Sequence, residues 1–170
     1  MKKLAKLILG SAHWGSPYGL NQLNKQLELE EITEIASHAA FYGISLIDTA
    51  RLYPNSEKII GQAKLDNFEV ITKTIKFNDN TIEKKHAEKL KTAFKLSLRK
   101  LGRHKVHALL FHQAADILKP GGFYLIDAVN ELKSENLIDK FGVSVYYPDP
   151  IEKISEVLNP DIVQLPFSLF

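Results

Sequence analysis

Short segments rich in β-forming residues alternate along this chain with longer segments of helical periodicity, and the alternation repeats six times. Several of the short segments are apolar at nearly every position, which is typical of parallel strands buried on both faces. Parallel strands joined by helices form an α/β fold. The predicted strands are residues 7–12, 45–50, 69–73, 106–112, 141–146 and 162–165.

The helices between these strands are predicted from their apolar period and from the residues that end them. The predicted helices are residues 30–42, a short helix after residues 55–57, residues 81–101, residues 123–132, and a last helix with Asp149 as N-cap and Pro150 in its first turn. The apolar face of the first helix consists of Ile32, Ile35, Ala36 and Ala39. Gly43 and Gly102 are predicted helix ends, because glycine readily adopts the left-handed conformation that closes a helix.

Six such βα units are compatible with two architectures, a doubly wound sheet and a (β/α)8 barrel of the TIM type. Polar side chains occur at or near the C-terminal ends of successive predicted strands: Asp48, Lys73, His112, Ser144 and Gln164. In a barrel, this end is where active sites are assembled from several strands. An open sheet would spread the same residues along a row, so one shared pocket favours the barrel. We predict a single domain over residues 1–170, with about six βα units of an incomplete (β/α)8 barrel.

Several segments of the chain resemble the signatures of the aldo-keto reductase family. The D-T-A-x-x-Y spacing from Asp48 to Tyr53 is followed by a lysine, Lys73, at the end of the third strand and by a histidine, His112, at the end of the fourth. The similarity extends to LGSAHWG at 9–15, KFGVS at 140–144 and VQLP at 163–166, and so covers essentially the whole chain. The opening and closing segments look most like a family branch that is associated with sugar and polysaccharide biosynthesis. The resemblance implies NAD(P)H-dependent reduction of an aldehyde or ketone by hydride transfer.

Four residues are the candidates for catalysis. Reduction of a carbonyl by hydride requires a proton donor for the developing alkoxide, and a tyrosine with an ordinary pKa of about 10 needs a suitable environment to serve. A nearby lysine ammonium stabilises the tyrosinate, an aspartate keeps that lysine charged, and a histidine can orient the substrate oxygen. The resemblance implies the same roles: Tyr53 is the acid, Lys73 and Asp48 are the tuning pair, and His112 is the orienting donor.

Each of these residues also has an ordinary structural interpretation when it is taken alone. Asp48 before Thr49 could be a cap at a strand-to-loop turn, and a lysine such as Lys73 is usually exposed to solvent. His112 could be a satisfied structural histidine, and Tyr53 a packed aromatic residue in a loop. Their joint placement at three strand ends, with Tyr53 five residues after Asp48, favours the functional interpretation.

The sequence does not indicate a Rossmann dinucleotide site, because no G-x-G-x-x-G segment follows a predicted strand. The resemblance implies instead that the nucleotide lies extended across the mouth of the barrel, with NADPH as the expected cofactor and NADH as the alternative. It implies that Ser144 and Gln164 contact the nicotinamide carboxamide, which needs both a donor and an acceptor. It also implies that Asp48 contacts the nicotinamide ribose, and that Gly10 and Ser11 lie where the first loop passes the cofactor.

Two departures from the family pattern and two further candidates complete the predicted site. Many family members have Asn at the positions of Val145 and Ser168, so the carboxamide is expected to have fewer contacts here. His13 and Trp14 follow the first strand and are candidates for the substrate pocket, although Trp14 is equally suited to packing.

Composition and charge narrow the classes of partner. A net charge of +2 on 170 residues indicates neither a nucleic-acid partner nor a membrane surface. The third long helix is rich in lysine, which suits either a surface for nucleic acid or an anionic membrane, or a solvated outer face of a barrel helix. The solvated face is the simpler interpretation. There are no cysteines, and His104 and His107 lack a third ligand at a useful spacing, so no metal site is predicted. Lys6 interrupts the first apolar run, and no run approaches the roughly 20 residues of a membrane span, so we expect a cytoplasmic protein.

The sequence leaves two hypotheses for function. The leading hypothesis is an NAD(P)H-dependent carbonyl reductase that acts on a small-molecule aldehyde or ketone, with sugar-related compounds as a candidate class. The alternative is a non-catalytic member of the same family, either a truncated remnant or a cofactor-binding regulatory module. A full barrel has eight strands and about 250 residues, so we expect a further C-terminal segment or an oligomeric partner to cover the open barrel.

Overall fold

Strands and helices alternate throughout the computed structural model, which describes residues 7–16, 27–146 and 151–167. The strands are β1 (Leu9–Gly10), β2 (Leu46–Asp48), β3 (Glu69–Lys73), β4 (Val106–Phe111), β5 (Ile138–Ser144) and β6 (Ile162–Gln164). The helices are α1 (Leu29–Phe41), α2 (Ser56–Gln62), α3 (Lys84–Leu101), α4 (Phe123–Ser134) and α5 (Ile151–Val157), with a 3-10 helix (Ala114–Leu118) between β4 and α4.

The six strands form one parallel sheet in the order β1-β2-β3-β4-β5-β6, so that each strand pairs with the next one in the sequence. In a doubly wound sheet the order reverses at a switch point, and helices cover both faces. Because parallel crossovers are right-handed, an order without reversal puts the connecting helices on one side of the sheet. The described residues therefore form an open half-barrel with its helices outside, which confirms the predicted incomplete (β/α)8 barrel.

Apolar side chains form one layer on each face of the sheet. The larger layer lies between the sheet and the helices. The smaller layer lies on the concave face and contains Ile71, Ala108 and Leu110. Side chains of a strand alternate with a period of two, so Lys73, two residues after Ile71, and His112, two residues after Leu110, lie on the concave side as well. The sheet thus directs the predicted polar residues into the barrel interior.

Five strands differ from their predicted bounds by at least one residue, most clearly β1 and β5, whereas β3 has the bounds that were predicted. β1 is limited to Leu9–Gly10, because the chain turns at residues 12–14. β5 begins at Ile138, three residues before the predicted start, because its first residues pair with β4 through Val106↔Ile138 and Ala108↔Lys140. Backbone pairing does not require an apolar side chain, so the polar start of β5 was missed by the hydrophobic pattern.

The predicted helix ends are confirmed at two glycines. Gly43 follows the end of α1 with φ of +78°, and Gly102 ends α3 with φ of +66°. Both values lie in the left-handed region that glycine adopts without a steric penalty. Ile35 was assigned to the apolar face of α1, but its side chain is 38% exposed.

The start of α3 is later than predicted. The helix begins at Lys84, because the Ile82 N–H donates to the Pro120 carbonyl outside the helix and Glu83 is the N-cap, whose N–H donates to His86 Nδ1 in the first turn. The 3-10 helix after β4 was not predicted. The predicted N-cap Asp149 and the adjacent Pro150 lie outside the described residues.

Candidate active site

The sheet brings the predicted polar residues to one end of the half-barrel. Asp48, Lys73, Ser144 and Gln164 are the last residues of β2, β3, β5 and β6, and His112 directly follows β4. Carboxyl ends of parallel strands lie at the same end of a barrel, where loops can close over a ligand. The structure therefore brings together residues from five separate strand ends.

The buried Lys73 and the half-buried Asp48 form an ion pair across adjacent strands. Lys73 Nζ lies 2.7 Å from Asp48 Oδ1 and donates a second hydrogen bond to the Thr49 carbonyl at 2.9 Å. Burial lowers the pKa of Lys73, while the charge of Asp48 and its hydrogen bond oppose that effect. A lysine that is only 3% exposed is unusual, and here a carboxylate and a carbonyl satisfy its ammonium.

Tyr53 lies in the loop between β2 and α2, against this ion pair. Lys73 Nζ is 5.2 Å from the centroid of the Tyr53 ring, within the range of a cation–π contact. The His112 ring meets the Tyr53 ring edge to face, with centroids 6.2 Å apart. All four predicted catalytic residues therefore form one contiguous cluster.

His112 is held in its neutral form. Burial, together with the charges of Lys76 and Lys73, lowers the pKa of His112 to about 4. Its backbone N–H donates to Thr74 Oγ1, and its buried Nδ1 has no hydrogen-bond partner among the described residues. A neutral imidazole has one ring N–H, which can donate to a ligand oxygen without a full positive charge.

Ser144 and Gln164 border a small cavity next to Tyr53. They are direct partners in the β5–β6 register. The cavity has a volume of about 200 Å³ and is lined by Tyr53, Ser144, Val145, Tyr146, Gln164, Leu165 and Pro166. Pockets for drug-sized ligands have volumes of about 300–1,000 Å³, so this space suits one planar ring or one end of a longer ligand. Its polar groups are a hydroxyl and an amide, which can both donate and accept hydrogen bonds.

The predicted residues of the first strand and its loop lie beside this cluster without lining the cavity. Gly10 is the register partner of Asp48, and the Ser11 N–H donates to the Asp48 carbonyl. Ser11 is fully buried, and its hydroxyl has no partner among the described residues. His13 is half-buried. Trp14 is only 3% exposed and packs in the layer between sheet and helices, which is the packing alternative considered for it.

Three residues that the sequence did not single out contribute to this region. Thr72 Oγ1 donates to Glu57 Oε1 at 2.8 Å, and both side chains are buried. The Arg51 guanidinium, in the loop of Tyr53, donates to the Ala93 carbonyl and to Ser97 Oγ of α3. An acidic residue in the first turn of a helix is common, so Glu57 gave no distinctive sequence signal. The alternation of side chains along β3, which places Thr72 on the helix side, was the one sequence feature that indicated this contact.

Other features of the described residues give no competing site. A second cleft of about 470 Å³ lies at the opposite end of the sheet, next to Tyr42, Glu69 and Lys140. Two lysines of the basic helix α3 are in ion pairs with α4 and its C-cap, Lys91 with Glu131 and Lys95 with Glu135. Within the described ranges, no three His, Asp or Glu residues are grouped as metal ligands, and no helix is long and apolar enough to cross a membrane.

Comparison with known proteins gave a family and a set of similar structures. The model of the Aldo/keto reductase family matches residues 6–170. A search of the curated proteins found no match. Three similar solved structures are a protein of Pseudomonas aeruginosa assigned as an aldo-keto reductase (22% identity, TM-score 0.75), an aldo-keto reductase from Bacillus halodurans in its holo form (22%, 0.73), and a Bombyx mori aldo-keto reductase in complex with NADP (20%, 0.69).

These structures are similar over nearly the whole chain but are themselves longer. The alignments cover 95%, 96% and 95% of this chain, and 63%, 53% and 54% of the three proteins in the same order. At these identities the likeness is one of fold. The chain thus spans between about half and two thirds of the length of the structures that it matches.

Proposed function

Because the chain belongs to the aldo/keto reductase family, we propose that it reduces an aldehyde or ketone to an alcohol with NAD(P)H, and that Tyr53 supplies the proton. The observation that carries this proposal is the Asp48–Lys73 ion pair, whose lysine is buried against the Tyr53 ring, together with the edge-to-face contact of His112 with that ring. A phenol close to a cation and to a neutral imidazole has the surroundings that an acid for a carbonyl oxygen requires.

The described residues suit the nicotinamide end of the nucleotide. Ser144 and Gln164 offer donors and acceptors side by side, as a carboxamide requires, and the cavity that they share with Tyr53 has room for one ring. When bound, the nucleotide supplies the hydride that the carbonyl carbon receives. We propose NADPH rather than NADH, and the support is the NADP complex of the similar Bombyx mori enzyme.

The chemistry assigned to this chain concerns the carbonyl oxygen. The neutral His112 donates a hydrogen bond to that oxygen and orients it. Tyr53 transfers its hydroxyl proton to the same oxygen, which completes the alcohol and leaves a phenolate. The Lys73 ammonium stabilises the phenolate, and Asp48 keeps Lys73 charged against the effect of burial. Each step uses a group that lies in the cluster already described.

Substrate, cellular location and domain extent are further parts of the proposal. A small carbonyl compound fits the cluster, and sugar-related aldehydes are the first class to test, because the opening and closing segments resemble a sugar-associated branch of the family. A cytoplasmic location and a single domain over residues 1–170 stay predictions from the sequence.

Replacement of Tyr53 tests the proposed acid. We expect Tyr53→Phe to lower the rate of aldehyde reduction by about 10²- to 10⁴-fold, the usual contribution of a general acid. The Kd for NADPH should change little, because the ring remains. Turnover is followed by the absorbance of the nucleotide, and binding by its own fluorescence, because Trp14 is buried away from the cavity.

The matched control is Tyr42→Phe, which removes a phenol hydroxyl at the opposite end of the sheet and should keep wild-type turnover. Unchanged turnover in Tyr53→Phe would show that another group is the acid. NADPH binding by a wild-type chain that reduces none of the aldehydes would support the alternative function, a cofactor-binding module of the same family.

A further inference from the structure

Two neighbouring residues of β3 serve different sides of the sheet. Lys73 lies on the concave side with Asp48. The side chain before it, Thr72, lies on the helix side and donates its hydroxyl to Glu57 Oε1 at 2.8 Å. Thr72 is fully buried, and Glu57 is 2% exposed. The hydrogen bond is therefore shielded from water and attached directly to the backbone that carries Lys73.

Glu57 is also close in sequence to Tyr53. It lies in the first turn of α2, four residues after Tyr53, and the Ser56 N–H donates to the Tyr53 carbonyl. Among the described residues, the Thr72–Glu57 bond is the one side-chain hydrogen bond that joins α2 to β3. Displacement of this turn relative to β3 would move Tyr53 relative to Lys73.

The loop of Tyr53 has separate anchors on its other sides. Ser56 Oγ donates to the Ser11 carbonyl, which ties the start of α2 to the loop after β1. Gly15 packs so closely that a Cβ would lie 1.5 Å from the Pro54 carbonyl oxygen. Arg51 ties the loop to α3. The start of the loop is tied to β3 by the Thr49 N–H, which donates to the Ile71 carbonyl, and by Lys73 Nζ, which donates to the Thr49 carbonyl. The Thr72–Glu57 bond ties the other end of the loop, the first turn of α2, to β3.

The cost of burying Glu57 argues that its contact matters. Glu57 Oε2 is buried and has no hydrogen-bond partner among the described residues. An incompletely paired carboxyl group in the interior is destabilising, whereas an apolar side chain of similar size would fill the same space without that penalty. The benefit of the carboxyl group at this site is the acceptor that it offers to Thr72.

We propose that Glu57 is a positioning residue, which holds Tyr53 at its distance from Lys73 through the buried hydroxyl of Thr72. This role rests on the proposed function only in so far as Tyr53 and Lys73 act on a substrate. The structural part of the proposal, that the Thr72–Glu57 bond fixes the first turn of α2 to β3, can be tested without measuring turnover.

Two pairs of variants distinguish the effect of losing the Thr72–Glu57 hydrogen bond from the effect of changing either side chain. Glu57→Met and Thr72→Val remove the bond with little change of volume. Glu57→Gln and Thr72→Ser retain an acceptor and a donor and should behave like the wild type. Arg103→Met is the matched control, because it removes the hydrogen bond from Arg103 to the Leu65 carbonyl, away from the Tyr53 loop.

Hydrogen exchange of residues 49–56, measured by mass spectrometry on the full 170-residue chain, is the primary readout. The backbone amides of Thr49, Tyr53 and Ser56 are hydrogen-bonded and report on opening of the loop. We expect exchange there to accelerate about five- to tenfold in Glu57→Met and Thr72→Val, the effect of one net hydrogen bond. Exchange in Glu57→Gln and Thr72→Ser should match the wild type.

The inference is overturned if Arg103→Met accelerates exchange in this loop as much, or if Glu57→Met and Thr72→Val do not accelerate it. Thr72→Val is nearly isosteric and guards against a variant that simply fails to fold. With turnover in the wild type, kcat should fall in the two bond-removing variants while KM stays within about twofold. If the wild type shows no turnover, the proposed function is refuted. The hydrogen-exchange measurement would still test whether Glu57 holds the Tyr53 loop in place.

Discussion

At the scale of single residues, the half-barrel alters the chemistry of side chains that would be ordinary in water. Lys73 is removed from solvent, which lowers its pKa, and Asp48 counteracts that loss of hydration. His112 lies in the same cluster, and burial with two nearby lysines lowers its pKa to about 4. The same arrangement therefore keeps His112 neutral at pH 7, while Asp48 opposes the effect of burial on the pKa of Lys73.

The depressed pKa of His112 predicts a specific loss of stability in acid. Between pH 6.5 and pH 4 the unfolded chain protonates this histidine while the folded chain does not, so its contribution to stability is lost as pH falls through that window. We expect the free energy of unfolding of His112→Asn to fall less than that of the wild type between pH 7 and pH 4.5. The difference should be on the order of 1 kcal/mol, because His112 is only partly buried.

Urea denaturation at the two pH values measures this difference. His104→Asn, a replacement of an exposed histidine in the loop before β4, controls for the loss of a histidine as such. A wild type and a His112→Asn variant with the same pH dependence would argue that His112 is protonated equally in both states.

At the scale of elements, the approach of β6 to β5 depends on one glycine. A Cβ on Gly142 would lie 1.9 Å from the Ile162 carbonyl oxygen and 3.0 Å from a Leu110 methyl carbon. The first of these atoms belongs to the backbone, so it can move only if the two strands separate. Ser144 and Gln164, which line the cavity, are paired two residues further along these strands.

Gly142→Ala should therefore destabilise the chain and separate the two sides of the cavity. We expect a loss of about 1–3 kcal/mol in the free energy of unfolding, the usual cost of an overpacked interior site. Gly10→Ala is the matched control, because a Cβ there meets no atom within 4 Å. Equal stability of the two variants in urea denaturation would contradict the close packing of β5 and β6.

At the scale of the whole molecule, the described sheet has two open margins. Within residues 7–16, 27–146 and 151–167, β1 pairs only with β2 and β6 only with β5. Exposed apolar side chains lie near these margins: Leu7, Ile8, Val163, Leu165 and Phe167. An open strand edge with apolar neighbours is a surface for pairing with another chain.

The 170-residue chain is therefore expected to self-associate through its margins as its concentration rises. Val163→Lys places a charge on β6 and should weaken association by a factor on the order of ten, which corresponds to about 1.4 kcal/mol. Leu96→Lys makes the same kind of change at a similarly exposed apolar residue of α3, the helix that joins the central strands β3 and β4, and should have little effect. Sedimentation velocity over a range of concentrations measures the association of each variant. Equal association of the two variants would show that the β6 margin is not the contact surface.

The sequence by itself determined the alternation of strands and helices, the bounds of β3, the glycines that end α1 and α3, and the identity of the polar residues at the strand ends. These features are local, because the spacing of apolar residues and the residues that end a helix involve only a few neighbouring positions. The start of β5 at Ile138 and the later start of α3 escaped it, because pairing with β4 and bonding to Pro120 involve residues distant in the sequence.

Only the tertiary structure decided how those residues are combined. The uninterrupted order of six strands distinguishes a half-barrel from a doubly wound sheet, and no local pattern encodes strand order. The same holds for the burial of Lys73, the packing of Trp14 in the core and the contact of Glu57 with Thr72. The physical reason is that burial and pKa depend on which segments meet in space, whereas periodicity records only which face of each segment turns inward.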